Sequence, residues 1–438
     1  MSRFGILSFP GTGHLLPLTA LGRELERRDH TVTVFQVGDV EHLIRAAGLR
    51  FHQIGQQDFP LGTLRALDRQ LSRLHGSDAM EFVFERIRQN SQIVLQDAPG
   101  AIRSEGVDAL IVDQAEFAGG SVAESLGLPF VTAILTLPLN LHSNVPFGGF
   151  QFGEKMATAS RYADGHLRLS LIKSSILVLI NRHRRRWGLQ TKTGLNACGS
   201  DLAQVAQVPA PFDFPNRNVP SCFHYTGPFF DGAGRREISF PWSKLDRSRP
   251  LIFVSMGTLQ NGIEWVFRVV AEACAGFPVQ TVISLGGGLV PEIFDELPGD
   301  PIVVRYAPQL ALLTRAALTI FHGGLNTALE SLAHGVPMIA IPVTFDQPGV
   351  GARLVSTGTG KMVPIYELTA KRIRTEIREI LTDERYRSNA KLLQKHVSSV
   401  NGPKRAADII EDATASAPLP FSRASQHYAG SSAQRNGS

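Results

Sequence analysis

The polar side chains best placed to bind a phosphorylated ligand lie in one stretch, residues 321–347. An apolar run at 316–321 has the length of a buried parallel strand, and His322 and two glycines follow it before helical spacing begins at Asn326. A helix N-terminus beyond the carboxyl end of a parallel strand presents unpaired N–H groups and the positive end of its dipole to a ligand. The stretch therefore predicts a diphosphate site at residues 322–327.

Three further polar residues belong to the same predicted site. Glu330 lies one turn beyond Asn326, and Asp346 and Gln347 follow the next apolar run, 338–341, so all three should face one crevice and bind hydroxyl groups. An ordinary helix cap after a glycine turn is the alternative. A cap requires neither the histidine nor the Asp-Gln pair, so the pattern favours a site for a nucleotide that carries a polar group.

His14 is a candidate for proton transfer. It follows a predicted strand at 4–9 and the turn Pro10-Gly11-Thr12-Gly13, at the edge where open α/β sheets bind ligands. Its imidazole would act as a general base near neutral pH, and a helix-capping or core histidine fits this position equally well. The loop lacks the third glycine of a dinucleotide fingerprint and does not match that motif.

Asp113 is the candidate partner of His14. It ends a predicted strand at 107–112, which can lie beside the first strand in such a sheet. A carboxylate there would fix the tautomer of His14 and stabilise the imidazolium that forms when it takes a proton. The alternative is an aspartate that caps the helix beginning near Ala118. The pairing with His14 favours the functional interpretation.

The elements that carry these residues should form two domains, because 438 residues exceed one ordinary core. A hydrophobic content of 43% and a charged content of 19% fit a globular protein. The net charge of +5, from 44 basic and 39 acidic residues, is too small to indicate nucleic-acid binding. The cysteines (Cys198, Cys222 and Cys274) show no metal-ligand or disulfide spacing. We expect no leader, and no apolar run reaches about 18 residues. Together with the cysteine pattern, these features predict a cytoplasmic protein.

Repeated β-α-β patterns predict a doubly wound α/β sheet in each half. We expect an N-terminal Rossmann-like domain over 1–226, a linker rich in glycine, proline and charge over 227–250, and a C-terminal Rossmann-like domain over 251–400. Residues 401–416 are expected to form a helix that packs back on the first domain. Residues 417–438 are poor in large apolar groups and predict a disordered tail.

A strongly apolar stretch at 167–180 predicts a helix, and a basic cluster with a tryptophan follows it at 183–187. Such a helix either docks on an anionic membrane surface or covers the core with a solvated basic end. The second arrangement is the commoner one. The sequence therefore leaves peripheral contact with a membrane as the alternative.

The motifs together resemble family-1 glycosyltransferases. HGGLNTALESLAHGVP at 322–337, with YAPQ before it and FDQ after the next strand, resembles the donor signature of that family. GTGHLLPL at 11–18 and LIVD at 110–113 resemble its catalytic histidine and supporting aspartate. The resemblance covers nearly the whole chain and implies the GT-B architecture, two Rossmann-like domains that face each other across a cleft. It also implies inverting transfer of a sugar from a nucleotide diphosphate, with no metal or other cofactor, and the sequence has no Asp-x-Asp metal motif.

The resemblance implies a role for each matching residue. His14 would deprotonate the acceptor hydroxyl, and Asp113 would orient His14. The residues implied in donor binding are Gly13, Thr258, Tyr306, Ala307, Gln309, His322, Gly324, Asn326, Thr327, Glu330, Asp346 and Gln347. Within that set the diphosphate would be held by His322, Thr258, the backbone at Gly324, Asn326 and Thr327, the ribose by Glu330, and the sugar hydroxyls by Asp346 and Gln347.

Tyr306 bears on the identity of the donor. It stands where plant members of the family have the tryptophan that stacks on uracil, with Gln309 close by, and it is a smaller platform. UDP-glucose is the expected co-substrate, and a dTDP-sugar is the alternative.

Within the family the sequence is most similar to bacterial carotenoid (zeaxanthin) glucosyltransferases, through segments at 112–130, 222–228, 257–260 and 345–350. This similarity implies a lipophilic acceptor such as a carotenoid, with apolar loops around 147–152 of the first domain beside it. A broad glucosyltransferase of phenolic or polyketide aglycones is the alternative. A UDP-sugar epimerase would not need the histidine of a transferase, and a non-catalytic nucleotide-binding module would not keep both motifs intact.

Overall fold

Two sheets, each built from parallel strands, form the framework of the fold. The computed structural model describes residues 1–139, 159–215, 219–231, 237–246, 248–294 and 296–416. The tail predicted at 417–438 and the loops expected around 147–152 lie outside these residues. The predicted fold class, α/β with two Rossmann-like sheets, is confirmed.

The N-terminal sheet has the strand order β3-β2-β1-β4-β5-β6-β7, and all neighbouring strands are parallel. Its strands are β1 (Arg3–Leu7), β2 (Thr31–Gln36), β3 (Arg50–Gln53), β4 (Ala109–Asp113), β5 (Phe130–Ile134), β6 (Gln204–Ala206) and β7 (Phe223–Tyr225). The order reverses between β1 and β4, and an open parallel sheet binds its ligand at such a reversal. The apolar pattern predicts β1, β2, β4 and β5. It does not predict β3, β6 and β7, which are too short to show a period.

The C-terminal sheet has the order β10-β9-β8-β11-β12-β13, again parallel throughout. Its strands are β8 (Leu251–Ser255), β9 (Gln280–Ser284), β10 (Ile302–Val304), β11 (Ala316–Phe321), β12 (Met338–Ala340) and β13 (Gly360–Met362). Here the order reverses between β8 and β11. The strand predicted at 316–321 is therefore at the reversal, with its carboxyl end at the predicted diphosphate site.

Helices cover both sheets. They are α1 (Thr12–Glu26), α2 (Glu41–Ala46), α3 (Thr63–Leu71), α4 (Gly76–Glu105), α5 (Gly119–Leu126), α6 (Ala159–Arg186), α7 (Glu264–Cys274), α8 (Gln309–Leu313), α9 (Leu325–Ala333), α10 (Gln347–Ser356), α11 (Ala370–Thr382), α12 (Glu384–Ser398) and α13 (Gly402–Ala415). We call the first sheet with α1–α6 the N lobe and the second sheet with α7–α12 the C lobe. In the ranges given above, each helix falls short of the length or the apolar content that a bilayer crossing requires.

The last described helix, α13, packs on the N lobe although it follows the C lobe in the chain. Ala406, Ala407 and Ile410 are buried in one apolar cluster with the core face of α1. At the edge of this contact Arg28 pairs with Asp408 and with Glu411, each at 2.7 Å. The chain thus crosses between the lobes a second time.

The two crossings lie against each other. The first crossing begins with Gly227 and Pro228, and the second ends at Gly402. A methyl group on Gly402 would collide with the carbonyl oxygens of Gly227 and Pro228, and the side chain of Val400 packs beside Gly227. This close approach requires glycine at position 402.

Candidate active site

A cleft of about 770 Å³ lies between the lobes, and both lobes line it. The N lobe contributes a mainly apolar wall, on which α4 presents Met80, Val83, Phe84 and Ile87 at helical spacing. The C lobe contributes polar groups from the loops that follow β8, β11 and β12. One cleft therefore joins a surface suited to an apolar ligand and a surface suited to a charged ligand.

His14 lies in the first turn of α1, just beyond β1, in an edge-to-face contact with the ring of Phe9. Its Nδ1 is 2.8 Å from Oδ2 of Asp113, the last residue of β4. The two residues meet because β1 and β4 are parallel neighbours. The predicted contact is confirmed. The His14 side chain is 16% exposed to the cleft, whereas Asp113 is fully buried behind it.

Asp113 is held in place by several donors. Its Oδ2 accepts hydrogen bonds from the hydroxyl of Ser8, at 2.9 Å, and from the N–H of Phe9, at 3.3 Å. Its Oδ1 accepts the N–H of Ala115 at 3.0 Å. Since the carboxylate occupies Nδ1 of His14, the neutral imidazole presents Nε2 as its basic nitrogen.

The pKa values of the pair move in opposite directions. Burial by itself lowers the pKa of His14, but the charge and hydrogen bond of Asp113 outweigh burial and raise the pKa above 6.5. Burial likewise raises the pKa of Asp113, and the contact with His14 brings it below 3.8. The arrangement stabilises the imidazolium form of His14, which a general base reaches when it accepts a proton.

His322, at the end of β11, fills a space made by two glycines. A methyl group on Gly257 or on Gly324 would collide with its imidazole, and Gly257 has a φ of +75°. Burial lowers the pKa of His322 to about 4. A neutral imidazole at physiological pH carries one N–H, for which the Ser255 backbone and a phosphate oxygen of a ligand are alternative acceptors.

The N-terminus of α9 faces the same part of the cleft. Its N-cap residue is Gly324, and no side chain caps the helix. The N–H groups of the first turn therefore lack a side-chain partner, which is the arrangement that binds anions in other proteins. Thr258, in the loop after β8, also lines the cleft.

Gln309, Thr327 and Glu330 form a second polar group. Nε2 of Gln309 donates to Oε2 of Glu330 at 2.6 Å and reaches the hydroxyl of Thr327 at 3.5 Å. Tyr306 lies nearby with 46% of its surface exposed, and Gly287 leaves room for its hydroxyl. The exposed ring offers a flat surface on which a base can stack.

Asp346 and Gln347 line the cleft, and each also makes hydrogen bonds within the protein. Asp346 Oδ2 accepts the N–H of Leu137 from the N lobe at 3.1 Å, and burial raises the pKa of Asp346. The Gln347 carbonyl accepts the N–H groups of Val343 and Thr344, while its amide donates to Gln260. Gln347 therefore shapes the loop that presents Asp346.

Asn326 likewise contacts the N lobe. Its Nδ2 donates to the carbonyl of Gly13 at 2.7 Å, and its Oδ1 accepts from Gln207 at 2.9 Å. Both groups of the amide are thus bound across the cleft. No pattern in the sequence links these residues, which are far apart in the chain.

The cleft brings together every residue of the predicted site except Asp113, which supports His14 from behind. The roles assigned to these residues stay predictions. Sequence reasoning missed the apolar wall of α4, together with Lys173, Gln207 and Arg353, which also line the cleft. The spacing of Met80, Val83, Phe84 and Ile87 is the signal that would have found the wall.

Comparison with known proteins agrees with this architecture. The fold matches the crystal structure of the glycotransferase of kitacinnamycin with a TM-score of 0.73, at 21% identity, over 94% of this chain and 98% of that one. The zeaxanthin glucosyltransferase of Pantoea ananas is 33% identical over 420 residues, which are 94% of this chain and 96% of the relative. That of Pseudescherichia vulneris is 33% identical over 419 residues, 95% and 98% of the two chains.

The fold is that of a GT-B glycosyltransferase. Residues 243–400 match the family described as "UDP-glucoronosyl and UDP-glucosyl transferase". The chain belongs to this family, the family-1 glycosyltransferases, and is an enzyme of the EC 2.4.1 type, which transfers hexosyl groups.

Proposed function

We propose that this enzyme transfers glucose from UDP-glucose to a hydroxyl group of a lipophilic acceptor of the carotenoid class, with inversion at the anomeric carbon. The observation that carries the proposal is the His14–Asp113 pair, which opens on a cleft with an apolar wall on one lobe and an uncapped helix N-terminus on the other. The proposal requires no metal ion and no cofactor other than the co-substrate.

The reaction is a single displacement. Nε2 of His14 takes the proton of the acceptor hydroxyl while the acceptor oxygen forms a bond to the anomeric carbon. The bond between that carbon and the diphosphate oxygen breaks, and the electron pair leaves with UDP. Attack on the face opposite the leaving group inverts the configuration. Asp113 stabilises the imidazolium, and the α9 N-terminus with the neutral His322 stabilises the charge that develops on the diphosphate.

The acceptor would lie against the N lobe. Met80, Val83, Phe84 and Ile87 form an apolar strip along α4, and the loop after β5 adds Leu137 and other apolar groups. Apolar walls with a few placed polar groups are typical of sites for small hydrophobic ligands. The two relatives named zeaxanthin glucosyltransferases support the choice of a carotenoid.

Lys173 favours a second candidate, a glucosyltransferase of phenolic or polyketide aglycones. Its ammonium lines the cleft 5.0 Å from the centre of the Phe84 ring, and burial lowers its pKa. Among the described residues no carboxylate pairs with it. A half-buried cation over an aromatic ring can bind a phenolate or carbonyl oxygen. The hydrocarbon chain of a dihydroxy carotenoid offers neither.

A carotenoid acceptor would come from a bilayer, and we propose that α6 makes peripheral contact with the inner face of the membrane. Leu171 and Val178 are 60% and 59% exposed on this helix, and the exposed Arg182, Arg185 and Arg186 lie near its C-terminal end. Apolar and basic groups on one exposed helix are suited to an anionic lipid surface. The wild type should sediment with anionic vesicles, whereas the double variant Leu171→Ser/Val178→Ser should stay in the supernatant. Equal binding of both would contradict the contact.

The deciding experiment is product analysis with purified enzyme, UDP-glucose, zeaxanthin in micelles and a set of flavonoid aglycones. His14→Ala is compared with His42→Ala, which removes an exposed histidine on α2. The proposal expects a zeaxanthin glucoside of inverted anomeric configuration that only His14→Ala abolishes. Turnover of flavonoids alone, reduced by Lys173→Met, would establish the second candidate instead. Release of UDP without any glucoside would contradict both acceptors.

A further inference from the structure

The carbonyl group of Gly13 cannot make the usual bond of an α-helix. It lies in the first turn of α1, where it would accept the N–H of the residue four positions further on. That residue is Pro17, which has no N–H. The carbonyl is therefore left open to a donor from outside the helix.

The donor comes from the other lobe. Nδ2 of Asn326, in the first turn of α9, lies 2.7 Å from the Gly13 oxygen. Gln207 fixes the opposite end of the amide, since its Nε2 donates to Oδ1 of Asn326 at 2.9 Å. Gln207 is itself buried and donates to the carbonyl of Leu135, beyond β5. We call Gly13, Asn326 and Gln207 the interlobe latch.

The latch joins the two halves of the proposed chemistry. The Gly13 carbonyl belongs to the peptide bond that leads directly into His14. Asn326 stands in the turn between His322 and Thr327, where the diphosphate is proposed to bind. One side chain thus connects the backbone of the base with the turn that holds the leaving group. A displacement of either lobe changes the distance between them.

We infer that Asn326 is a positioning residue, which holds His14 in place when the lobes are closed on the donor, and that Pro17 keeps the Gly13 carbonyl free for it. The inference rests on the proposed role of His14 as the base. It differs from the assignment of Asn326 to the diphosphate, because the amide oxygen and one amide N–H already bind N-lobe groups. The effect of the latch should fall on the rate of transfer rather than on the affinity for the nucleotide.

The test is to separate kcat from nucleotide binding in Asn326→Ala. We expect kcat with saturating UDP-glucose to fall roughly 10- to 100-fold, as for a slightly misplaced catalytic group. The Kd of UDP, measured by calorimetry, should stay within about threefold of the wild type. A diphosphate ligand would behave in the opposite way. A large loss of UDP affinity with kcat unchanged would overturn the inference.

Two further variants test the remaining parts of the latch. Gln207→Ala should lower kcat in the same direction, and the double variant with Asn326→Ala should be no slower than Asn326→Ala alone, because both changes break one connection. Pro17→Ala restores an N–H that can bond the Gly13 carbonyl within the helix. In the Asn326→Ala background it should therefore raise kcat about threefold or more. If the losses of kcat from Gln207→Ala and Asn326→Ala multiply in the double variant, Gln207 is not part of the latch. If Pro17→Ala restores no kcat in the Asn326→Ala background, Pro17 is not part of it.

His14→Ala, assayed in parallel, separates the latch from the proposed function. If His14→Ala keeps its activity, the base assignment fails whatever Asn326 does. If His14→Ala is inactive while Asn326→Ala loses only UDP affinity, the latch alone fails. Thermal unfolding of each variant verifies that the compared proteins are folded.

Discussion

Arg353 and Asp213 form an ion pair that joins the two lobes, with Nη2 and Oδ1 2.7 Å apart and both side chains almost completely buried. Arg353 Nη1 also donates to the carbonyl of Gly349, and the guanidinium stacks over Phe214. The remaining carboxylate oxygen of Asp213 accepts the hydroxyl of Tyr225. Each charge is thus compensated by several partners, as a buried ion requires.

The first prediction is that Asp213→Ala strongly destabilises the protein. The substitution leaves the Arg353 charge buried opposite an apolar side chain, which costs about 3–5 kcal/mol of the free energy of unfolding. Glu264→Ala is the matched control, since it breaks the pair of Glu264 with Arg268, which is nearly half exposed on α7. A pair of this kind contributes roughly 0.3–0.5 kcal/mol. Chemical denaturation that gave equal losses for the two variants would contradict the prediction.

The second prediction concerns the pH dependence of transfer. The base must be neutral to accept a proton, and Asp113 raises the pKa of His14 above 6.5, so activity should decline as the pH falls through this raised value. Asp113→Asn removes the charge that opposes the effect of burial. The acid limb of kcat/KM for the acceptor should therefore move to lower pH, while the plateau falls roughly 10²- to 10⁴-fold. An acid limb that stayed in place would mean that another group titrates.

The third prediction concerns His322, which burial keeps neutral because it lowers the pKa to about 4. If His322 donates to the diphosphate as proposed, His322→Ala should weaken UDP binding about 10- to 100-fold, the loss of one hydrogen bond to a charged group. His322→Gln keeps a donor and should lose less. Since His322 does not titrate near neutral pH, UDP binding by the wild type should show no step from this residue between about pH 5 and 8. Equal affinities for the two variants would show that the donor is not used.

The fourth prediction tests the apolar wall. Phe84 lies in the cleft beneath the ammonium of Lys173, so Phe84→Ala should lower kcat/KM for a lipophilic acceptor about tenfold through lost apolar contact. The KM for UDP-glucose should not change. Leu392→Ala is the control, because Leu392 is 57% exposed on α12 and does not line the cleft. Equal effects of both variants on the acceptor would contradict an acceptor site at this wall.

The sequence predicts the site better than it predicts the contacts across the site. The sequence predicts that His322, Glu330 and Asp346 face one crevice, and all three line the cleft, because strand-turn-helix patterns locate the carboxyl ends of strands and these ends share one edge of a sheet. The partner of His14 follows from the same rule, since β1 and β4 are neighbours. These expectations depend only on local patterns and on the geometry of one sheet.

The contacts between lobes depend on how two separate sheets face each other, and no local pattern encodes that. The pairing of Asn326 with Gly13, and that of Arg353 with Asp213, join residues more than a hundred positions apart. Helix α4 is a different kind of omission. Its apolar spacing is present in the sequence, but Pro99 and frequent polar residues interrupt the helical pattern. Tertiary packing therefore decides whether the stretch forms one long helix.

The contact of Gly402 with Gly227 and Pro228 has a consequence for motion. Because the start of the first crossing touches the end of the second, the two connections leave the N lobe at one place, and we expect a hinge there. Rotation about that hinge separates groups on opposite walls of the cleft, and it must break the contacts of Asn326 and Arg353 with the N lobe. We therefore expect the two lobes to open for the donor by rotation about a single axis.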